Sequence, residues 1–387
     1  MTEREPLSIY LHWPFCGSKC PYCDFNSHVR PFVEERRWVE ATIRALDYWH
    51  ARYPGRRIET VFWGGGTPSL MAPASVERVL SHIAKRWPVA QNCEITMEAN
   101  PTTHEAARFN GFREAGVNRL SLGVQSFQQN ALDFLGRTYT VEDAERALIH
   151  IAKTFPRYSF DLIYALPGQA VSAWETELSH ALSFATGHLS LYQLTFEPGT
   201  RFYKWLQSGR ISSLDDDTAA DLYELTVERL AEKRLNPYEI SNFARPHEEC
   251  RHNVVYWTGG DWIGVGPGAH GRIGQAPHRL ATSEWRSPEK WLAMVEQKGQ
   301  GCEAAEELTA EETAEELVLT GLRLTSGIDR KSFKRVSGQP LDDWLPSERI
   351  GMLAAQGLAL SDARGLRLTG RGRQLLDAAT SFLLAGR

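Results

Sequence analysis

The sequence predicts an α/β protein built on a parallel sheet. Two observations carry this. Short apolar runs alternate with amphipathic helical runs through the first half of the chain, and unusual polar or glycine-rich residues recur where those short runs end. Regular β-then-α alternation implies parallel strands joined by right-handed crossovers. Six such units form either an open doubly wound sheet or a partial barrel, and periodicity does not separate the two. In both, ligands bind at the carboxyl ends of the strands.

The elements read in order as follows. Ser8–Trp13 is a short apolar strand and Val33–His50 a helix. Arg57–Trp63 is the next strand, followed by Gly64-Gly65-Gly66-Thr67-Pro68. Pro73–Arg86 is a helix with proline in its first turn, a favoured place. Glu94–Glu98 is a strand, and Thr103–Ala115 a helix that Gly116 ends. Arg119–Gln125, Ser159–Ala165 and Leu189–Phe196 are strands, and Val141–Lys153 and Val171–Phe184 are the helices between them. An acidic turn, Asp215–Asp217, opens a helix to about Lys233. Tyr238–Gly271 is rich in Gly, His and aromatics, and the stretches near Gln275–Pro288 and Lys298–Gly301 read as connections. Thr309-Ala-Glu-Glu312 is a capping box that opens a helix to about Arg323. Helices over Leu341–Gln356 and Gly370–Leu384 flank a hairpin around Asp362-Ala-Arg-Gly365, which suggests a small winged-helix-like domain. The expected division is 1–275, a connecting segment 276–308, and 309–387.

Composition narrows the function classes. The chain has 387 residues, 42% hydrophobic and 24% charged, which suits a soluble protein with a substantial core. A formal net charge of -5 gives no basic field for nucleic acid. No apolar run reaches the length of a membrane span, and the polar Met1–Pro6 segment lacks the apolar region of a signal peptide. Free thiols without an export signal lead to the expectation of a cytoplasmic protein, with docking at the inner membrane open to it.

The chemistry starts at Cys16-Gly-Ser-Lys-Cys20-Pro-Tyr-Cys23. Thiolates are soft ligands that select zinc or iron–sulfur clusters. Three cysteines can hold three irons of a 4Fe-4S cluster and leave the fourth open to a substrate. Zinc is the competing reading, with His12 or His28 as fourth ligand, but no second Cys pair stands at zinc-ribbon spacing. A disulfide framework is disfavoured, because the chain has only six cysteines.

Other candidates sit at strand ends. The three glycines after Arg57–Trp63 let a ligand approach the backbone, although a tight turn explains them equally well. Glu98 at a strand end can accept ribose hydroxyls, with a surface charge as the plain alternative. Gln125 is a similar case. Asp161 interrupts an apolar strand and needs a partner, for which Arg137 is the candidate. His252-Asn-Val-Val-Tyr256-Trp257 offers an imidazole beside aromatics, a plausible haem site, although a lone histidine is more often a packing residue. Cys250 and His270 are alternative iron ligands.

The cysteine triplet followed by Gly-Gly-Gly-Thr-Pro resembles the radical S-adenosylmethionine (SAM) superfamily. The resemblance implies a partial (β/α)6 barrel. It also implies a 4Fe-4S cluster on Cys16, Cys20 and Cys23, and SAM chelated to the fourth iron and cleaved on reduction to a 5′-deoxyadenosyl radical. The order of the remaining motifs is similar to the coproporphyrinogen dehydrogenase branch. It implies a SAM site of Tyr10, Tyr22, Gly66, Thr67, Glu98, Gln125, Arg137 and Asp161. Within that branch, Tyr10-Leu-His-Trp-Pro-Phe-Cys16, Cys23-Asp-Phe-Asn-Ser-His28 and the His252 motif resemble the HemW-type haem chaperones. The dehydrogenases carry a further cysteine where this chain has Phe25, and a longer N-terminal segment. The resemblance implies haem binding at His252, transfer of haem to respiratory acceptor proteins, and an electron donor to the cluster. Oxygen-independent coproporphyrinogen III dehydrogenase is the competing activity.

Overall fold

The computed structural model describes residues 5–385; the outer ends of the two predicted domains, 1–4 and 386–387, lie outside it. Six strands follow the predicted alternation: β1 (Pro6–Trp13), β2 (Arg57–Gly65), β3 (Val89–Ala99), β4 (Arg119–Gln125), β5 (Arg157–Tyr164) and β6 (His188–Gln193). Each pairs in parallel with the next, so the sheet order is the chain order. A doubly wound sheet reverses its order at a switch point. This one does not reverse, which is the winding of a barrel, and the described strands do not close it by a ladder between their two ends.

The sheet is wider than the sequence reading made it. Beyond β6 lie β7 (Asn236–Pro237) and β8 (Asn242–Ala244), with β8 paired antiparallel to both β6 and β7. On the other edge β9 (Trp262–Val265) pairs in parallel with β1. It continues antiparallel through β10 (His270–Ile273), β11 (Arg279–Glu284) and β12 (Cys302–Leu308). Residues read as connections between 276 and 308 therefore carry two strands and a helix, Pro288–Lys298.

Side-chain alternation explains the layers. Leu7, Ile9 and Leu11, then Leu120 and Leu122, then Phe160 and Leu162, then Leu189 and Leu191 face the helices and form the core. Helices Glu35–Arg52, Pro73–Arg86 and Val141–Thr154 contribute Leu46, Val79 and Leu148 to it. Trp49, Trp87 and Trp174 are fully buried, so the tryptophan richness of this half is largely core. The opposite face is polar: Ser8, Thr60, Thr96, Arg119, Ser121, Ser159 and Ser190 are buried there.

Buried polar groups must find partners. Thr60 Oγ1 donates to Ser8 Oγ at 2.8 Å, Arg119 Nη2 to Ser159 Oγ at 3.0 Å, and Arg157 Nη1 to Glu94 Oε2 at 2.6 Å. Glu94 is almost fully buried; burial pushes its pKa up, but Arg119 and Arg157 hold it below the ordinary value.

The C-terminal part has its own core, from Ala314 to Leu383, and a three-stranded antiparallel sheet of Ile328–Asp329, Gly365–Leu368 and Ala359–Ser361. With its helices this is the winged-helix-like arrangement. The Thr309–Glu312 capping box forms. The expected Leu341–Gln356 helix is two, Leu341–Trp344 and Ser347–Ala355. Pro346 explains the break: it lacks an N–H and drives Leu345 to extended backbone, ψ 135°. Arg323 Nη2 on Glu239 Oε2 (3.2 Å) and Gln374 Nε2 on Glu224 Oε1 (2.9 Å) tie this part to the turn between β7 and β8 and to the helix Asp216–Glu232. No helix among the described residues is long and apolar enough to cross a membrane.

The glycine run after β2 has a packing reason. Gly65 has φ +104°, and a Cβ there would stand 2.5 Å from the His12 ring; a Cβ on Gly66 would stand 2.7 Å from the Phe15 carbonyl oxygen. Gly17 in the cysteine loop has nothing within 4 Å. Gly66→Ala should therefore lower stability by about 1–3 kcal/mol in urea unfolding, while Gly17→Ala should change it by no more than about 0.5 kcal/mol. Equal costs would refute the close-packing account.

Candidate cluster and cofactor cavity

The cysteine loop leaves β1 and is clamped to the end of β2. Gly66 N–H donates to the Trp13 carbonyl at 2.7 Å and Thr67 N–H to the Phe15 carbonyl at 2.8 Å. Thr67 Oγ1 donates to Cys16 Sγ at 3.3 Å. Lys19 Nζ crosses the loop to the carbonyls of Phe25 (3.0 Å) and Ser27 (3.2 Å). The glycine-rich turn, read from sequence as open to a ligand, thus spends two of its N–H groups on holding the cysteine loop.

Cys16, Cys20 and Cys23 are free and part-buried, and all three line one cavity of ≈ 1160 Å³. Burial raises the Cys16 thiol, and the Thr67 hydroxyl partly offsets this. No group of three or more His, Cys, Asp or Glu among the described residues is gathered as a site for one metal ion. Three thiolates opening on one cavity can each take a different iron of one cluster.

Of the eight residues expected around SAM, seven line this cavity: Tyr22, Gly66, Thr67, Glu98, Gln125, Arg137 and Asp161. Tyr10 does not. Its hydroxyl bonds His12 Nδ1 at 3.0 Å, and it faces a second cavity of ≈ 660 Å³.

Gln125 sits at a register shift between β4 and β5 with φ +69°, an uncommon conformation for a residue with a side chain. Arg137 donates through Nη1 to Asn100 Oδ1 at 3.1 Å and through Nη2 to the Tyr22 hydroxyl, and its buried Nε has no partner among the described residues. Arg137 is therefore not the direct partner of Asp161. Ser121 Oγ donates to Asp161 Oδ1 at 3.3 Å, and Ser190 bonds it too. Burial raises Asp161 to about 6 despite Ser190 and Arg119. Burial, and then the Asp161 carboxylate, push Glu98 up to about 8 against one N–H from Gly65.

Residues that sequence reasoning missed complete the wall. Tyr192 is 40% exposed and lines the cavity. Arg323, Arg373 and the stretch Gln374–Ala378 reach it from the C-terminal part. Alternation along β6 could have marked Tyr192, two residues from the inward Ser190; nothing in the sequence marks the two arginines.

His252, expected as a haem ligand, lines neither cavity. His252 is buried in the helix Arg251–Trp257, and its ring is stacked on Phe62 at 5.2 Å. Thr60 gives its proton to Ser8, so His252 Nδ1–H donates to Thr60 Oγ1 (2.6 Å) and Nε2 accepts from the Tyr256 hydroxyl (2.7 Å). Both nitrogens are used, and burial lowers its pKa to about 3. It holds the helix to the polar face of β2. Cys250 is also buried, 3.7 Å from Glu94 Oε1, and lines neither cavity.

The raised carboxylates set a pH signature. Unfolded glutamate loses its proton near pH ~4.3, whereas folded Glu98 keeps it up to about 8. The unfolded state thus binds fewer protons between these values, so this contribution is full below the lower value and is lost as pH rises to the upper one. Glu98→Gln should flatten the fall in urea stability of the cofactor-free protein between pH 6 and 8; an unchanged slope would remove Glu98 as its source.

The sequence pattern of the radical SAM superfamily matches residues 10–179, and that of the HemN C-terminal domain matches 308–375. The chain is 39% identical to the mitochondrial radical S-adenosyl methionine domain-containing protein 1 of Mus musculus, covering 97% of this chain and 87% of that protein. It is 36% identical to the heme chaperone HemW of Escherichia coli, covering 100% of both. In structure it is similar to the coproporphyrinogen III oxidase HemN of Escherichia coli, with a TM-score of 0.83 at 22% identity over 98% of this chain and 90% of that one. The order of the strands, the cysteine-lined cavity and these full-length likenesses agree: the chain belongs to the radical SAM superfamily and, within it, to the HemW family.

Proposed function

We propose that this protein binds haem and passes it to acceptor haemoproteins, respiratory ones among them, from a scaffold that carries a 4Fe-4S cluster and SAM. The observation that carries the reading is the likeness, along the whole chain, to a protein named a heme chaperone. The reading places the protein in the cytoplasm, meeting acceptors at the inner membrane, with an electron donor for the cluster. It treats 309–387 as a module apart from the barrel.

The residues present fit the cofactors. Cys16, Cys20 and Cys23 would hold three irons, and the cluster would supply an open iron and an electron at the cavity wall. Arg137, with an unpartnered buried Nε, suits the carboxylate of SAM, and Glu98 and Asp161 suit its amine and hydroxyls. Tyr22 and Gln125 would bound the adenine side, with Gly66 and Thr67 beside the cluster. Tyr10 would support Glu98 from behind: a Cβ placed on Gly64 would stand 3.1 Å from the Tyr10 ring and 3.2 Å from Glu98 Oε2.

Titration of the anaerobically reconstituted protein with haem, followed by Soret absorbance, should show one saturable class of sites. Formation of protoporphyrinogen from coproporphyrinogen III on repeated turnover would overturn the chaperone reading in favour of the dehydrogenase. Cys20→Ser should lose most of the cluster iron and its visible absorbance; full iron retention would reject the ligand set.

A further inference from the structure

We propose that haem is seated in the second cavity, with His270 as the ligand to its iron. This rests on the haem-binding reading above and adds a place and a ligand to it. The cavity of ≈ 660 Å³ lies within the range of about 300–1,000 Å³ that holds small-molecule ligands. Its walls are aromatic: Tyr256, Trp257 and Trp262, with Phe25, which is 58% exposed. Flat aromatic walls suit a macrocycle. Trp257 Nε1 is buried with no partner among the described residues.

Hydrogen-bond accounting selects the imidazole. His12 donates through Nε2 to the Asn26 carbonyl and accepts the Tyr10 hydroxyl at Nδ1, each at 3.0 Å. His28 bonds Asn26 Oδ1 at 3.2 Å and lies outside this cavity. His252 is enclosed and doubly bonded. His270 alone of these lines the cavity with neither ring nitrogen bonded among the described residues, and it is exposed. A neutral imidazole is a common haem ligand, and burial with Arg272 and Arg286 keeps His270 below its ordinary pKa. Arg286, exposed on the rim and free of ion pairs among the described residues, is placed to meet a propionate.

The test is haem titration of the cluster-loaded full chain for wild type, His270→Ala and Trp262→Ala, with iron content as a check of integrity. His270→Ala should bind haem roughly tenfold or more weakly, with a shifted ferric Soret band that free imidazole restores. Trp262→Ala should weaken binding without changing the iron's spectral class. Unchanged affinity and spectrum in His270→Ala would overturn this site while leaving the chaperone reading intact. Absence of saturable binding in the wild type would overturn both.

Discussion

Everything on the cavity side depends on two backbone hydrogen bonds, from Gly66 to Trp13 and from Thr67 to Phe15. They join the ends of the two neighbouring strands β1 and β2, and they fix where the cysteine loop begins. The bonds need the β2 turn to lie within van der Waals reach of the Phe15 backbone, which no side chain on Gly66 would allow. Thr67 adds its hydroxyl to Cys16 from the same turn. A soft, thiol-bearing loop is in this way made as well placed as the strands on either side of it.

The second constraint is the polar concave face. A barrel wound in chain order turns one side of every strand inward, and here that side carries Ser, Thr, Arg and Glu in place of leucine. The groups deep in the barrel satisfy one another, as Glu94 does with Arg157 and with the His252 N–H (3.2 Å). Near the strands' carboxyl ends the partners thin out. Among the described residues Glu98 is pushed up by burial and by the Asp161 carboxylate, Asp161 stays raised despite the fields of Arg119 and Arg137, and the Arg137 Nε lacks an acceptor. Groups left short of partners at the edge of a cavity are where ligand atoms complete the network.

Much of this was readable from residue order. The six strands were legible because their buried faces give compact apolar runs, and the helices because their amphipathic period is long and capped. The cysteine triplet was legible because three thiols in one loop have few structural uses. Strands β9 to β12 were hidden: each is four to seven residues long and set among glycines and polar residues, and β9, which joins them to the sheet, pairs with β1 far earlier in the chain, Trp262 against Ser8. The surroundings of His252 were illegible for a different reason. A histidine among aromatics has the same sequence whether its ring meets a ligand or a threonine 192 residues earlier in the chain, and the Thr60 and Tyr256 contacts appear only in the fold. Alternation puts Tyr10 on the inward face with Ser8, as expected, but its ring fronts the second cavity, which shares Glu98 with the first.

Asp24, Phe25, Gly65 and Glu98 line both cavities, so one thin partition serves two compartments. Side chains in such a partition cannot adjust to an occupant on one side without changing the space on the other. Any preference that one ligand imposes on the position of Phe25, or on the charge of Glu98, is then felt by a ligand across the wall, and by thermodynamic necessity to the same extent in reverse. Occupants of the two cavities are therefore not independent of one another, and this needs no moving domain and no second subunit.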